Sequence, residues 1–171
     1  IPAGLKKKIL AKAAALELNR YPQPGAGLLR EKLSKGLKVS PAQIVVGNGS
    51  DEILLYLMLA YLEQGEAVIA PAPAFEMYGV IAKACGGRFV PVPLDDKYDI
   101  DDRAILRAAG ENKPKFIFIT YPNNPTGNCF TASRIKNILD NTGALVVIDE
   151  AYYEFSQKTF LPLLKKYPNL I

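Results

Sequence analysis

Histidine does not occur in these 171 residues, and that absence removes several chemistries at once. Ser-His-Asp and Cys-His nucleophilic schemes need an imidazole base, and His-ligated metal sites need its nitrogen. Cysteine is nearly absent too: Cys85 and Cys129 are too few and too far apart for a thiolate zinc site or a disulfide framework. Their scarcity fits a reducing compartment, which we read as the cytoplasm, and Cys129 reads as a small, buried or incidental thiol. No apolar run approaches the ~20 residues that a membrane-spanning helix needs, and no signal peptide is recognisable. Charge is only mildly one-sided, with a net +4. Apart from Lys6-Lys7-Lys8, a solvated helix face, the lysines are scattered, and no aromatic-basic alternation marks a nucleic-acid partner. What remains is ordinary globular composition, 49% hydrophobic and 22% charged.

Along the chain, periodicity alternates between helix and strand. Leu5, Ile9, Ala13 and Leu16 are spaced for a helix over Leu5–Leu18, broken by Pro22, Pro24 and Gly25. A second helix is expected from Gly27 to Leu37, then a turn at Ser40-Pro41-Ala42-Gln43 and a short buried strand at Ile44-Val45-Val46. Helices are expected over Ile53–Leu62, Phe75–Ala84, from Asp101-Asp102 towards Ala109, over Thr131–Asn141 and over Phe160–Lys166. Strands are expected at Ala67–Ala70, Arg88–Pro93, Lys115–Thr120 and Ala144–Ile148. The prolines in Arg88–Pro93 argue for an edge position. Apolar runs without alternation suit strands buried on both faces, so the pattern predicts an α/β fold of three layers, a mostly parallel sheet with helices on both faces.

Two stretches carry chemistry on their own. Gly47-Asn48-Gly49-Ser50-Asp51-Glu52 stands between a strand and a helix start, where free N–H groups and the positive helix end make an anion pocket. An ordinary, well-capped βα turn explains the same residues, and the stretch is neither a Walker A loop nor a dinucleotide fingerprint. Ala144–Tyr152 runs from five apolar residues into Asp149, Glu150 and Tyr152. Ligands of such sheets sit beyond the carboxyl ends of the strands, so Asp149 stands either at the mouth of a site or as a cap of the next element.

Four motifs follow one another: Asn19-Arg20-Tyr21-Pro22, Gly47–Glu52, Tyr121-Pro122-Asn123-Asn124-Pro125-Thr126-Gly127 and Asp149-Glu150-Ala151-Tyr152. Together, and over nearly the whole chain, they resemble the fold-type I pyridoxal-phosphate aminotransferases, most closely the histidinol-phosphate aminotransferase family. The resemblance implies pyridoxal 5'-phosphate as cofactor, a phosphorylated amino compound and a 2-oxo acid as small-molecule substrates, and a homodimer. It implies that Asp149 pairs with the pyridine nitrogen, and that Asn124 and Tyr152 hydrogen-bond the ring 3-oxygen. It places Gly49, Ser50 and Asp51 on the cofactor phosphate and Tyr78 in a stack on its ring. Tyr21 is matched to a residue reaching the neighbouring subunit's cofactor, and Pro125 to a position that is often cis. For Tyr78 the competing reading is a core aromatic, and for Tyr21 a turn tyrosine lying on its own subunit.

The resemblance also defines a departure. The family's Schiff-base lysine, its phosphate arginine and its small domain have no counterpart up to Ile171. The chain begins at Ile1 and stops within an apolar stretch, so both ends look cut. The expectation is that residues 1–171 are a partial large, cofactor-binding domain, with 1–25 an N-terminal helix and dimer-contact segment, inactive on its own. Two other readings share these motifs: a threonine-phosphate decarboxylase-like lyase, and a non-catalytic phosphate- or cofactor-binding module.

Overall fold

Residue spacing explains most elements of the structure, a computed structural model that describes residues 1–171. The chain divides into two compact units, Ile1–Val46 and Gly47–Ile171. In the first, the alanine- and lysine-rich segment forms α1 (Ala3–Ala14), which stops four residues short of the expected end at Leu18. No α1 side chain is buried, so packing does not hold its last turn. Gly25 (φ +68°) turns the chain into α2 (Gly27–Leu37). The Arg30 guanidinium donates to the Pro41 carbonyl, and Ser34 Oγ to that of Val39 at 2.6 Å. Ser40 and Gln43 form a reciprocal capping box on the turn after α2. Ile44–Val46, expected as a strand, lies outside every strand; Ile44 is extended but Val45 is 70% exposed. An apolar triplet without a pairing partner stays irregular.

The second unit is built on four parallel strands, β1 (Ala67–Ala72), β2 (Arg88–Pro93), β3 (Phe116–Thr120) and β4 (Leu145–Asp149), in the order β2-β1-β3-β4. The proline-bearing β2 is an edge strand, as its sequence requires. Helices α3 (Ser50–Tyr61), α4 (Met77–Ala84), α5 (Asp102–Asn112) and α6 (Ala132–Asn141) cover the sheet. Alternation along the strands sorts side chains by face. Val68, Ala70, Phe116, Phe118 and Val147 pack with Leu54 and Met58 of α3 and Tyr78 and Ile81 of α4. Ile69, Ile117, Ile119 and Val146 pack with Ile105 of α5 and Ile135, Ile138 and Leu139 of α6. Three layers result. Gly79 lets α4 approach closely, since a Cβ there would meet the Phe89 ring at 3.0 Å.

The last segment departs from its expected helix. After β4 comes α7 (Tyr153–Ser156), and Phe160–Lys166 forms only a 3-10 turn over Leu161–Leu163. The backbone there closes three-residue turns, Leu163 N–H to the Phe160 carbonyl at 2.8 Å and Leu164 N–H to that of Leu161 at 3.3 Å, and Glu150 Oε1 accepts the Phe160 N–H at 2.6 Å. Leu170 then bridges Val146 in parallel. No helix is long and apolar enough to cross a membrane.

Candidate functional site

Register decides what meets at the carboxyl edge of the sheet. Thr120 and Asp149, the last residues of β3 and β4, are direct partners in the parallel ladder. By alternation both follow Phe116–Phe118 and Leu145–Val147 onto the face under α3 and α4. Beyond Thr120 the chain turns through Tyr121–Gly127, with cis bonds before Pro122 and Pro125. Asn123, 2% exposed, clamps this turn: its Nδ2 donates to the Pro73 carbonyl at 3.1 Å and to Thr126 Oγ1 at 2.7 Å. Asn124, next to it, stays free of such ties and lines the cavity. Composition and spacing do not divide the two asparagines between clamp and cavity; the family resemblance alone named Asn124.

A small cavity of about 50 Å³ opens here, lined by Ser50, Phe75, Thr120, Asn124, Asp149, Ala151 and Tyr152. Four segments far apart in sequence supply it. Ser50 is the first residue of α3, entered through Gly49 at φ +86°; that conformation admits glycine readily and other residues poorly. The α3 start presents N–H groups with the positive helix end. Glu52 closes the turn by accepting the Asn48 N–H, and this bond holds its carboxyl below the ordinary range. Gly49 and Asp51 flank Ser50 without lining the cavity; Asp51 is exposed in the first turn.

Asp149 receives two donors. The Ala151 N–H reaches Oδ1 at 3.1 Å, and the Tyr78 hydroxyl reaches Oδ2 at 2.9 Å. No cation pairs with it, since the ion pairs of the chain are Arg20–Glu17, Lys115–Glu66 and Arg134 with Asp95 and Asp99. Its charge is therefore left for whatever occupies the cavity. Glu150, one residue on, points elsewhere: it holds Phe160 and lines an apolar hollow with Ile148, Leu161, Leu164 and Leu170. Burial pushes the Glu150 carboxyl up from its ordinary value.

Tyr78 requires a correction. The expectation was a ring stacked on a bound cofactor, yet the residue is 0% exposed and its ring lies on Phe118 at 4.9 Å and 14°. Tyr78, the second residue of α4, lies on the helix face that packs on the sheet. The cavity aromatic is instead Phe75, edge-on to Tyr78 at 5.6 Å. Its place just after Pro71-Ala72-Pro73, at the carboxyl end of β1, was the signal available in sequence. Tyr152 lines the same cavity and a second hollow with Asn124, Pro125 and Phe155. Tyr21 belongs to the first unit, where its side chain is fully exposed.

A parallel sheet with a helix start, a carboxylate and an amide at its carboxyl edge defines a layered α/β protein whose polar edge can offer N–H groups to an anion and a carboxylate to a cation. The family model for aminotransferase class I and II matches residues 2–171, and the chain belongs to that family. It is similar to the histidinol-phosphate aminotransferase of Caldanaerobacter subterraneus, with 37% identity over 171 residues, all of this chain and 49% of that protein. It is 44% identical over 158 residues to the histidinol-phosphate aminotransferase of Hydrogenobaculum sp., covering 92% of this chain and 44% of that one. Among solved structures, the histidinol-phosphate aminotransferase from Clostridium acetobutylicum superposes with a TM-score of 0.84 at 26% identity, over 99% of this chain and 50% of that one. The enzyme from Sinorhizobium meliloti, solved in complex with pyridoxal-5'-phosphate, superposes with a TM-score of 0.77 at 28% identity, over 86% and 40%. The chain thus spans about half the length of the relatives it matches.

Proposed function

We propose that the chain forms the cofactor-binding part of a pyridoxal-phosphate aminotransferase that moves the amino group of histidinol phosphate to 2-oxoglutarate. The observation that carries this reading is Asp149, a carboxylate without a cation partner, facing the same cavity as Asn124 and the start of α3. The donor set fits the cofactor from end to end. A carboxylate suits a protonated pyridine nitrogen, an amide and a phenol suit the ring oxygen, and helix N–H groups suit a phosphate.

When bound, pyridoxal phosphate supplies an electron sink for the α-carbon of the amino donor. The chain's own residues do the rest of the local work. Asp149 holds a proton on the ring nitrogen, and Asn124 and Tyr152 orient the ring through its 3-oxygen. Gly49, Ser50 and Asp51 offer backbone N–H groups to the phosphate, with Gly49 leaving the approach open, since nothing lies within 4 Å of a Cβ built there. Phe75, which lines the cavity where Tyr78 does not, would offer an aromatic face to the ring. We read the protein as a cytoplasmic homodimer in which Tyr21 reaches the partner's cofactor phosphate.

The test is the product of the complete coding frame, assayed with histidinol phosphate and 2-oxoglutarate for glutamate, and with threonine phosphate for carbon dioxide. Glutamate formation supports the reading. Carbon dioxide release supports the lyase, and neither product with intact cofactor binding leaves a binding module.

A further inference from the structure

The mechanism above leaves one buried polar group without a task. Tyr78 has no exposed surface, and its ring packs on Phe118 as a phenylalanine would. Packing alone therefore does not account for the oxygen. That oxygen lies 2.7 Å from Thr120 Oγ1 and 2.9 Å from Asp149 Oδ2, at the ladder pair that ends β3 and β4.

Counting protons gives the three groups a direction. An ionised carboxylate only accepts, so Tyr78 must donate its one hydroxyl proton to Asp149. The phenol oxygen is then free to accept, and Thr120, 2% exposed, supplies the hydrogen. The chain runs Thr120 to Tyr78 to Asp149, each bond polarising the next. The Ala151 N–H holds Oδ1 from the other side. Both carboxylate oxygens thus have one neutral donor each, and neither donor cancels the charge.

We propose that Tyr78 is a positioning residue: through the relay from Thr120 its hydroxyl fixes the Asp149 carboxylate, as an anion and in one orientation, against the ring nitrogen of the cofactor. The proposal rests on the reading of Asp149 given above and adds a role that no stacking contact would supply. Burial first, and the nearby Asp149 charge second, push the phenol's ionisation far above its ordinary value. Tyr78 is thereby a permanent donor and takes no part as an acid or base.

The test measures affinity by equilibrium dialysis, in the product of the complete coding frame, for pyridoxamine phosphate and for its 1-deaza analogue, whose ring carries C–H in place of nitrogen. A hydrogen bond to a charged group is worth about 1.5–3 kcal/mol. Tyr78→Phe is accordingly expected to weaken pyridoxamine phosphate about tenfold and to leave the deaza analogue within about twofold. In an Asp149→Ala background the same substitution is expected to change nothing further, as for residues acting in one line. Thr120→Val tests the far link independently and covers the case in which Tyr78→Phe does not fold. It should give a smaller loss with the same ligand dependence, while Thr120→Ser, which keeps the hydroxyl, restores binding.

Equal losses for both ligands, or additive effects of Tyr78→Phe and Asp149→Ala, would overturn the positioning role while leaving Asp149 in place. If Asp149→Ala itself leaves pyridoxamine phosphate binding unchanged, the reading of Asp149 fails and the role of Tyr78 fails with it.

Discussion

Two polar clusters lie on this unit, and they differ in how their charges are used. Around Arg134, two carboxylates are held by one guanidinium. Its guanidinium donates to Asp95 Oδ2 at 2.7 Å and to the Ile100 carbonyl at 2.8 Å, and stands 3.4 Å from Asp99 Oδ2. Thr131 closes the group by donating its N–H and hydroxyl to Asp99. The cluster fastens the 95–101 loop to the start of α6 and has nothing to offer a ligand. Around Asp149, by contrast, the donors are an amide N–H and a phenol. Neutral donors hold a carboxylate in place without neutralising it. A charge held this way at a cavity is a recognition element, whereas the same residue type opposite an arginine is a fastener.

That contrast is open to direct challenge. The largest effect is expected at Asp149: in the product of the complete coding frame, Asp149→Ala should lower the proposed turnover by roughly 10²–10³, the loss typical of one preorganised electrostatic contact, as measured by glutamate formation. A smaller loss would mean that the carboxylate merely caps the next element. On the opposite face, Ile138→Ala should lower stability by about 2–5 kcal/mol through an unfilled core site, read by urea unfolding, with cofactor affinity per folded molecule unchanged. Gly49→Ala should destabilise by about 1–3 kcal/mol through its positive-φ, extended backbone alone, a region essentially reserved for glycine, since the added methyl meets no atom; any extra loss of phosphate affinity measures how closely a ligand approaches there.

The smallest effect belongs to the fastener. The Arg134 hydrogen bond, together with the Asp99 backbone, lowers the Asp95 pKa from 3.8 to about 2. A carboxyl whose folded pKa is depressed adds stability above its unfolded pKa and loses it as pH falls through the folded value. Acid titration of the unfolding midpoint between pH 4 and pH 2 should therefore be less steep in Arg134→Met than in the parent, and identical slopes would remove Asp95 from the explanation.

Much of this was legible in the residues themselves. Unbroken apolar runs marked β1, β3 and β4, and prolines marked β2 as an edge, because both signals report burial and hydrogen bonding directly. The failures are equally physical. Ile44–Val46 has strand composition, yet a strand exists only with a partner. Phe160–Lys166 has helical spacing, but it closes with three-residue turns around Leu161–Leu163. Within the site, the stretches were visible in the residues, while the division of labour inside each came only from the resemblance, which named Asn124 and, of the aromatics, Tyr78. Asn123 and Asn124 are adjacent and chemically identical, and Phe75 and Tyr78 are both aromatics of one segment. Only the packing of α4 on Phe118 and the clamp on Pro73 separate them.

The most direct measurement concerns the ring nitrogen that Asp149 is assigned to hold. Nitrogen-15 NMR of ring-labelled pyridoxal phosphate, bound to the product of the complete coding frame at neutral pH, reports whether that nitrogen carries a proton. A protonated signal that reverts to the unprotonated position in Asp149→Ala is the expected result. An unprotonated nitrogen in the parent protein, or a protonated one that survives the substitution, would contradict the assignment of this carboxylate.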